Sequence, residues 1–571
     1  MSSLFIVLFG LVGFTFGWFV YSKFIAEKIY RLDPNYVTPA HKFEDGVDYV
    51  PTNKFVLWGS HFTAVAGAAP IVGPAIAVYW GWLPALLWVT FGSIFFAGVH
   101  DFGALWASNR HDAKSIGALS ESIVGQRARA VFMVIIFLLL VLVNAMFATI
   151  IASEMIEYPS SVFPAWIAIP VAIAVGVLIR RKVNLLAVSI IGVVFLYATI
   201  YVGSVMPLEL PIGIPGLGEH GDWIIILYIY AAIASMLPVW LLLQPRDYIN
   251  GAQLIVGLFV LYTAVLLTSP DVAAPMINTV AEGTPPIFPI LFVTIACGAL
   301  SGFHGIVSSG TSAKQLNNEK DARFVGYLGA LGEGSLALIT ITAVTGSLYA
   351  SSVAGGWDAI YPSFTGGPAA GGFIAGGALL ISEGWGISLG FAQTMLAVMV
   401  VLFAGTTMDA GLRLTRYIIQ EWGNIYQIEA LKSNYTSTFV AVGACLLLAF
   451  GVSNGNYPGD GGTLIWPVFG ATNQILASMT LIVIAVYLLK LGRSAKPLLI
   501  PMCFILFMAS WAGVWYVMDY VSKGQWILVL IQVAVMVSAL FIILEAWSAA
   551  SKLGREDNTG DKEGSAPSTN E

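Results

Sequence analysis

Five ionisable side chains stand inside long apolar stretches of this sequence: His61, His100 beside Asp101, His304 and Glu333. Ionisable groups are costly in an apolar setting, so residues of this kind mark an ion or proton path by default. A histidine next to a carboxylate titrates close to neutral pH and can carry a proton. Around His304, the residues Thr294, Cys297, Ser301, Ser308 and Thr311 recur at intervals of three and four, which predicts a polar stripe along one face of a continuous helix. Ser308, Ser309 and Thr311, followed by Ser312, also offer hydroxyl oxygens that would ligate Na⁺. Protons and Na⁺ therefore both stay open as coupling ions. The plainer roles are a hydrogen bond from each histidine to a helix carbonyl and close helix packing through the small residues.

Proline interrupts two of the apolar stretches, at AGAAPIVGP (Ala66–Pro74) and SMLPVWLLLQP (Ser235–Pro245). Proline removes a backbone donor and clashes with the preceding turn, so the freed groups need a partner from protein, water or ligand. A half-helix that starts at such a break presents unpaired amides and the positive end of its dipole, which favour a carboxylate; carbonyls on the other side suit a cation. Ala68, Ala69, Pro70 and Ile71 at the first break, and Ser235, Trp240 and Gln244 at the second, are thus the expected solute contacts, with His304. Arg246 with Asp247, and Asp409 with Arg413 at i and i+4, are candidate gate pairs; the second spacing suggests a pair within one helix.

The elements that must hold these residues are membrane helices. The 571 residues are 58% hydrophobic and only 10% charged, and they contain about fifteen apolar stretches of roughly 20 residues, the length that crosses a bilayer. Every Lys and Arg except Lys523 falls in alternate connections or in the tail, which predicts a cytoplasmic C-terminus and an outside N-terminus. The first stretch, Ser3–Tyr21, has no basic residue before it and no A-x-A site after it, and is expected to be a retained helix. The two breaks lie five spans apart in opposite directions. They predict an all-α polytopic fold with a LeuT-type 5+5 inverted repeat, spans two to six against seven to eleven, plus accessory helices. The expected division is 1–53 (first helix and cytoplasmic loop), 54–422 (transport core), 423–550 (accessory helices) and 551–571 (disordered tail).

Other classes find little support. The net charge of −6 suggests no nucleic acid, and three scattered cysteines suggest neither a disulfide framework nor a thiolate metal site. G-x-S-x-G at Gly451–Gly455 ends an apolar helix, and G-x-G-x-x-G at Gly216–Gly221 lies in a connection without a βαβ unit. No nucleotide loop or H-E-x-x-H motif is present. An enzyme and a bound cofactor are not expected. The rival to a carrier is a channel or a sensor with a carrier-like body.

Six blocks carry a family resemblance: KFVLWGSHFTAVAGAAPIVGP (Lys54–Pro74), HDFGALWASNRHDAKSIG (His100–Gly117), LPVWLLLQPRDYIN (Leu237–Asn250), SGFHGIVSSGTSAKQL (Ser301–Leu316), MDAGLRLTRYIIQE (Met408–Glu421) and FGATNQILASM (Phe469–Met479). In this order they resemble the carbon starvation protein A family. The resemblance implies uptake across the cytoplasmic membrane when carbon is scarce, of peptides in some members and of pyruvate with protons in others. Ser60, Ala69, His100 and the pair Ser312–Ala313 depart from the family's usual residues.

Overall fold

A computed structural model describes residues 1–563 apart from 47, 182, 210–212, 239, 279–283, 365–366, 454 and 456. Among these residues the chain is all helical, with isolated bridges but no strand. In chain order the main helices are α1 (Ser3–Tyr30), α2 (Lys54–Val65), α3 (Ala69–Trp80), α4 (Trp82–Asn109), α5 (Gln126–Glu157), α6 (Pro159–Arg180), α7 (Leu185–Val205), α8 (Gly218–Met236) and α9 (Leu243–Thr268). They continue as α10 (Ile287–Thr294), α11 (Gly302–Gly310), α12 (Arg323–Thr345), α13 (Ala369–Trp385), α14 (Leu389–Ile425), α15 (Asn434–Gly451), α16 (Gly462–Lys490), α17 (Lys496–Ser522) and α18 (Trp526–Glu563). Twelve of the described helices are long and apolar enough to cross a membrane, or thirteen with the bent pair α2/α3 taken as one span. The chain is a multi-pass membrane protein. Two further apolar segments, α8 and the pair α10 with α11, fall below that measure of length and apolarity.

The first break stands where proline places it. α2 ends at Val65, Ala66 leaves the helical region, and α3 restarts at Ala69 with Pro70 in its first turn, bent by 48° from α2. Proline fits there because the first amides of a helix have no partner in any case.

The second break is not at Pro238. α8 ends at Met236, Leu237 is extended as a residue before proline must be, and α9 begins at Leu243, so Pro238 lies in the connection between two helices rather than within one. The chain instead unwinds between α10 and α11, from Thr294 to Gly302, where Gly298 has φ +90°. The expected continuous stripe from Thr294 to Thr311 is therefore cut in two. Trp80 at the end of α3 donates to the carbonyl of Pro285 just before α10 (3.1 Å), and Thr52 before α2 donates to that of Gln315 after α11 (3.1 Å). The two broken helices thus lie antiparallel, break against break.

The other helices follow the same inversion. α5 and α14 form the central pair, α8 and α15 each lie against both of them, and α9 and α16 each hold one broken helix and one member of that pair. The hairpin α6–α7 is inserted between α5 and α8, so the two halves are not consecutive blocks of five stretches. α1, α17 and α18 pack outside.

One helix was not expected. α13, AAGGFIAGGALLISEGW, lies against α3, α9 and α12 near the ends opposite the basic loops: a Cβ on Gly376 would come within 2.3 Å of the carbonyl oxygen of Ala343, and one on Gly384 within 3.0 Å of Ala264. Its glycines serve as close-approach positions. The stretch 551–571, expected to be a disordered tail, is helical through Glu563 as a continuation of α18, and residues 564–571 lie outside the described residues.

Candidate functional site

The unwound segments leave backbone groups that a fold must satisfy at membrane depth. At the second break the surrounding helices do so with side chains. Trp88 donates to the Ile295 carbonyl (3.2 Å), Ser93 to that of Gly298 (3.0 Å), and Gln474 to that of Phe292. Asn473 accepts from the amide of Phe303 (2.9 Å) at the start of α11 and bonds Ser301 as well. The first break is held differently: the carbonyl of Val65 meets Nε2 of His304 at 3.2 Å. Gly73 lets α3 close onto Thr294, where a Cβ would sit 2.7 Å from the carbonyl oxygen, and Gly298 lets the second break close onto Ala337 of α12, with Pro70 in ordinary contact on the other side.

His304 is the hub. Its Nδ1 lies 2.8 Å from Asp101 Oδ2, and its Nε2 lies 3.4 Å from Glu333 Oε1. The other oxygen of Asp101 takes Nδ1 of His100 at 2.7 Å. All four side chains are fully buried. Asp101, with two histidine partners, is held as the acceptor of the group, whereas neither oxygen of Glu333 has a hydrogen-bond partner in the structure. Nε2 of His100 and of His61 are likewise unpartnered. His61 sits on α2 with Nδ1 2.8 Å from Ser312 Oγ, and its ring lies against Gly329, one turn before Glu333 on α12. The titratable residues expected from the sequence thus form one buried series, His61, Glu333, His304, Asp101, His100. Cys297 joins it: its sulfur and ligand atoms of His304 and Glu333 all lie within 4.8 Å of one another.

A cavity leads to this series from the side of the basic loops. It starts at Asp48 and Lys314, runs past Gln244, Asp247, Thr311 and Arg413, and ends at His61, Ala64 and Val307. Val307 is one turn from His304, and Ala64 precedes the carbonyl that His304 holds.

The remaining candidates divide. Ala68, Ala69, Pro70 and Ile71 are buried at the start of α3, against the second break. Ser308 is buried with an unpartnered hydroxyl, whereas Ser309 is used structurally, donating to Gly305 and accepting from the amide of Ile116 (2.9 Å). Thr311 and Gln244 line the cavity. Ser235 bonds its own helix at Ala232, and Trp240 lies under the guanidinium of Arg180 at 4.1 Å, so neither meets the breaks. Asp409 does not pair with Arg413. It takes Arg246 on α9 and Tyr230 on α8, while Arg413 donates to the carbonyls of Ala234 (2.9 Å) and Leu237 (2.7 Å) that end α8. Asp247 faces the cavity with one oxygen unpartnered. Asn473, Gln474 and Tyr230 are the functional-looking residues that sequence reasoning missed; adjacent amides inside an apolar helix were the available signal for the first two.

Comparison with known proteins places this arrangement. The profile of the family described as "Carbon starvation protein CstA" matches residues 2–354 and 363–512. The chain is 34% identical to the "Peptide transporter CstA" of Campylobacter jejuni, over 91% of this chain and 81% of that one. It is 32% identical to the "Pyruvate/proton symporter BtsT" of Escherichia coli, over 90% of this chain and 81% of that one. Among solved structures, MhsT in complex with L-phenylalanine covers 87% of this chain and 99% of its own at 11% identity, with a TM-score of 0.49. A match that runs through both broken helices and the buried histidine–carboxylate series makes this chain a member of the carbon starvation protein CstA family.

Proposed function

We propose that this protein is a proton-coupled secondary carrier that takes small carboxylate-bearing nutrients, peptides or pyruvate, into the cell across the cytoplasmic membrane. Its basic face is cytoplasmic, with the N-terminus outside and the C-terminus inside. The observation that carries this reading is the contact of His304 with the Val65 carbonyl on one side and Glu333 on the other. A proton on this group changes the charge at the very point where the two broken helices meet. The starts of α3 and α11 turn positive dipole ends toward the breaks, which favour a carboxylate, so solute and proton would be read by one set of elements.

The role is transport rather than catalysis. The transport body in this reading is 54–422 together with α16, which holds the second break; the remaining helices are accessory. Arg246, Asp409 and Tyr230 tie α8, α9 and α14 and act as a gate, with Asp247 and Arg413 lining the cavity beside it. Sodium is the second reading, favoured by the unpartnered hydroxyl of Ser308. Uptake of labelled pyruvate and dipeptides into proteoliposomes tests both. An imposed inward proton gradient is expected to drive accumulation without Na⁺; uptake that ignores pH and stops when Na⁺ is removed would overturn proton coupling. Counterflow, which needs an alternating site, separates a carrier from a channel or a sensor.

A further inference from the structure

Cys297 takes no part in the transport reading, yet it is buried in the unwound second break with its sulfur turned to the imidazole and carboxylate of the hub. Thiolate, imidazole and carboxylate are the three side-chain ligands of Zn²⁺. In a tetrahedral zinc site such atoms stand about 3.3–3.8 Å apart, given metal distances of about 2.0–2.3 Å. The three atoms here all lie within 4.8 Å of one another, with His304 Nε2 and Glu333 Oε1 already at 3.4 Å. A rotamer adjustment of Cys297 on its loop closes the rest.

Two further observations point to a ligand. Both oxygens of Glu333 are buried without a hydrogen bond, and Oε1 lies 3.4 Å from His304 Nε2. Asp101 holds Nδ1 of His304 at 2.8 Å, which leaves Nε2 as the ligating nitrogen; a carboxylate behind a histidine is the usual outer support of a zinc ligand. The sulfur is supported in the same way, with Asn473 Nδ2 3.5 Å and Ser301 Oγ 3.3 Å away. The Val65 carbonyl, 3.2 Å from the same Nε2, stands close enough to complete four oxygen, nitrogen and sulfur donors.

We propose that Cys297, His304 and Glu333 form a binding site for a borderline-soft divalent cation, zinc in the first instance, at the crossing of the two breaks. Binding takes the thiol proton off Cys297 and displaces any proton shared by His304 and Glu333. It also ties the unwound segment and α11 to α12. Resting on the carrier reading for this part alone, zinc is expected to inhibit uptake by fixing the break and occupying the proton's lone pairs.

The test uses the purified full chain with Cys445→Ala and Cys503→Ser, so that Cys297 is the single thiol. Titration with Zn²⁺ against a competing chelating dye is expected to show one equivalent bound. Further change of Cys297→Ser or Glu333→Gln is expected to weaken it at least about tenfold, and Asp101→Asn, which keeps all three ligands, about ten- to a hundredfold. Co²⁺ in place of zinc is expected to give a thiolate-to-cobalt charge-transfer band from the single-thiol protein. Absence of that band, or zinc affinity unchanged by Cys297→Ser, overturns the proposal, and the cobalt readout needs no variant of the site. Neither measurement uses transport: a thiolate–metal band from protein that shows no uptake when metal-free sinks the carrier reading alone, and uptake by protein that gives no thiolate–metal band sinks the zinc site alone.

Discussion

Glu333 is the residue in which the proton reading is most exposed to test. Asp101 is fixed between two histidines, so its charge has partners on both oxygens. Glu333 has His304 at 3.4 Å and no hydrogen bond, so its protonation state is free to follow the cycle. Glu333→Gln keeps the volume and removes the titration. Accumulation driven by a pH gradient is expected to fall at least about tenfold, the equivalent of about 1.4 kcal/mol, while counterflow at equal pH persists. Retained gradient-driven accumulation would move the coupling proton elsewhere. A different residue tests the architecture rather than the coupling. Arg246 is buried with Asp409 and Tyr230 as its partners. Removing one member of a buried ion pair strands the other charge, at a cost of about 3–5 kcal/mol. Asp409→Ala is therefore expected to lower the unfolding temperature of the purified protein sharply, as read by differential scanning fluorimetry. A variant as stable as the parent would mean that water already reaches Arg246.

At the scale of elements, the two breaks show what a sequence displays and what it hides. Pro70 announces the first because proline cannot continue the ladder of the preceding turn. The second contains no proline between Ile295 and Ser301; it is opened by a glycine at positive φ and held by Trp88, Ser93, Asn473 and Gln474 from helices distant in sequence. Those tertiary bonds are invisible to local pattern, so the polar spacing from Thr294 to Thr311 read as one helical stripe. Pro238 misled for the converse reason, since a proline at the end of a helix marks a connection as readily as a kink. The titratable residues were legible because ionisable groups in apolar stretches are few. Gly298 offers the sharpest test of the second break. Its φ of +90° disfavours any side chain, and a Cβ would lie 2.7 Å from that of Ala337. Gly492 has φ +62° with nothing within 4 Å of a Cβ. Gly492→Ala is expected to cost about 1 kcal/mol of backbone strain, and Gly298→Ala a further 1–3 kcal/mol or so from overpacking. Equal effects in a thermal unfolding series would show that the break does not press on α12 as described.

For the whole molecule, the distribution of openings defines which state the structure represents. On the basic face the cavity runs from Asp48 and Lys314 to His61 and Val307. On the opposite face the route to the breaks is covered: α13 lies over α3 and α12, and Tyr361 donates to the carbonyl of Ala75 (2.8 Å) within α3. In the orientation proposed above, with the basic face cytoplasmic, this arrangement corresponds to an inward-facing state, and accessibility of single cysteines tests it. Thr311 is half-buried in the cavity, and Ser351 is exposed in the connection that follows α12. In a background lacking the native cysteines, Thr311→Cys is expected to react with a membrane-impermeant maleimide in inside-out vesicles and far more slowly in intact cells. Ser351→Cys is expected to show the reverse. A transported solute that draws the protein outward-facing should slow labelling of Thr311→Cys from inside, because the cavity closes as the site turns to the other face. Labelling of Thr311→Cys at equal rates from both faces would instead describe a continuous pore, and the alternating carrier would have to be abandoned in favour of a channel.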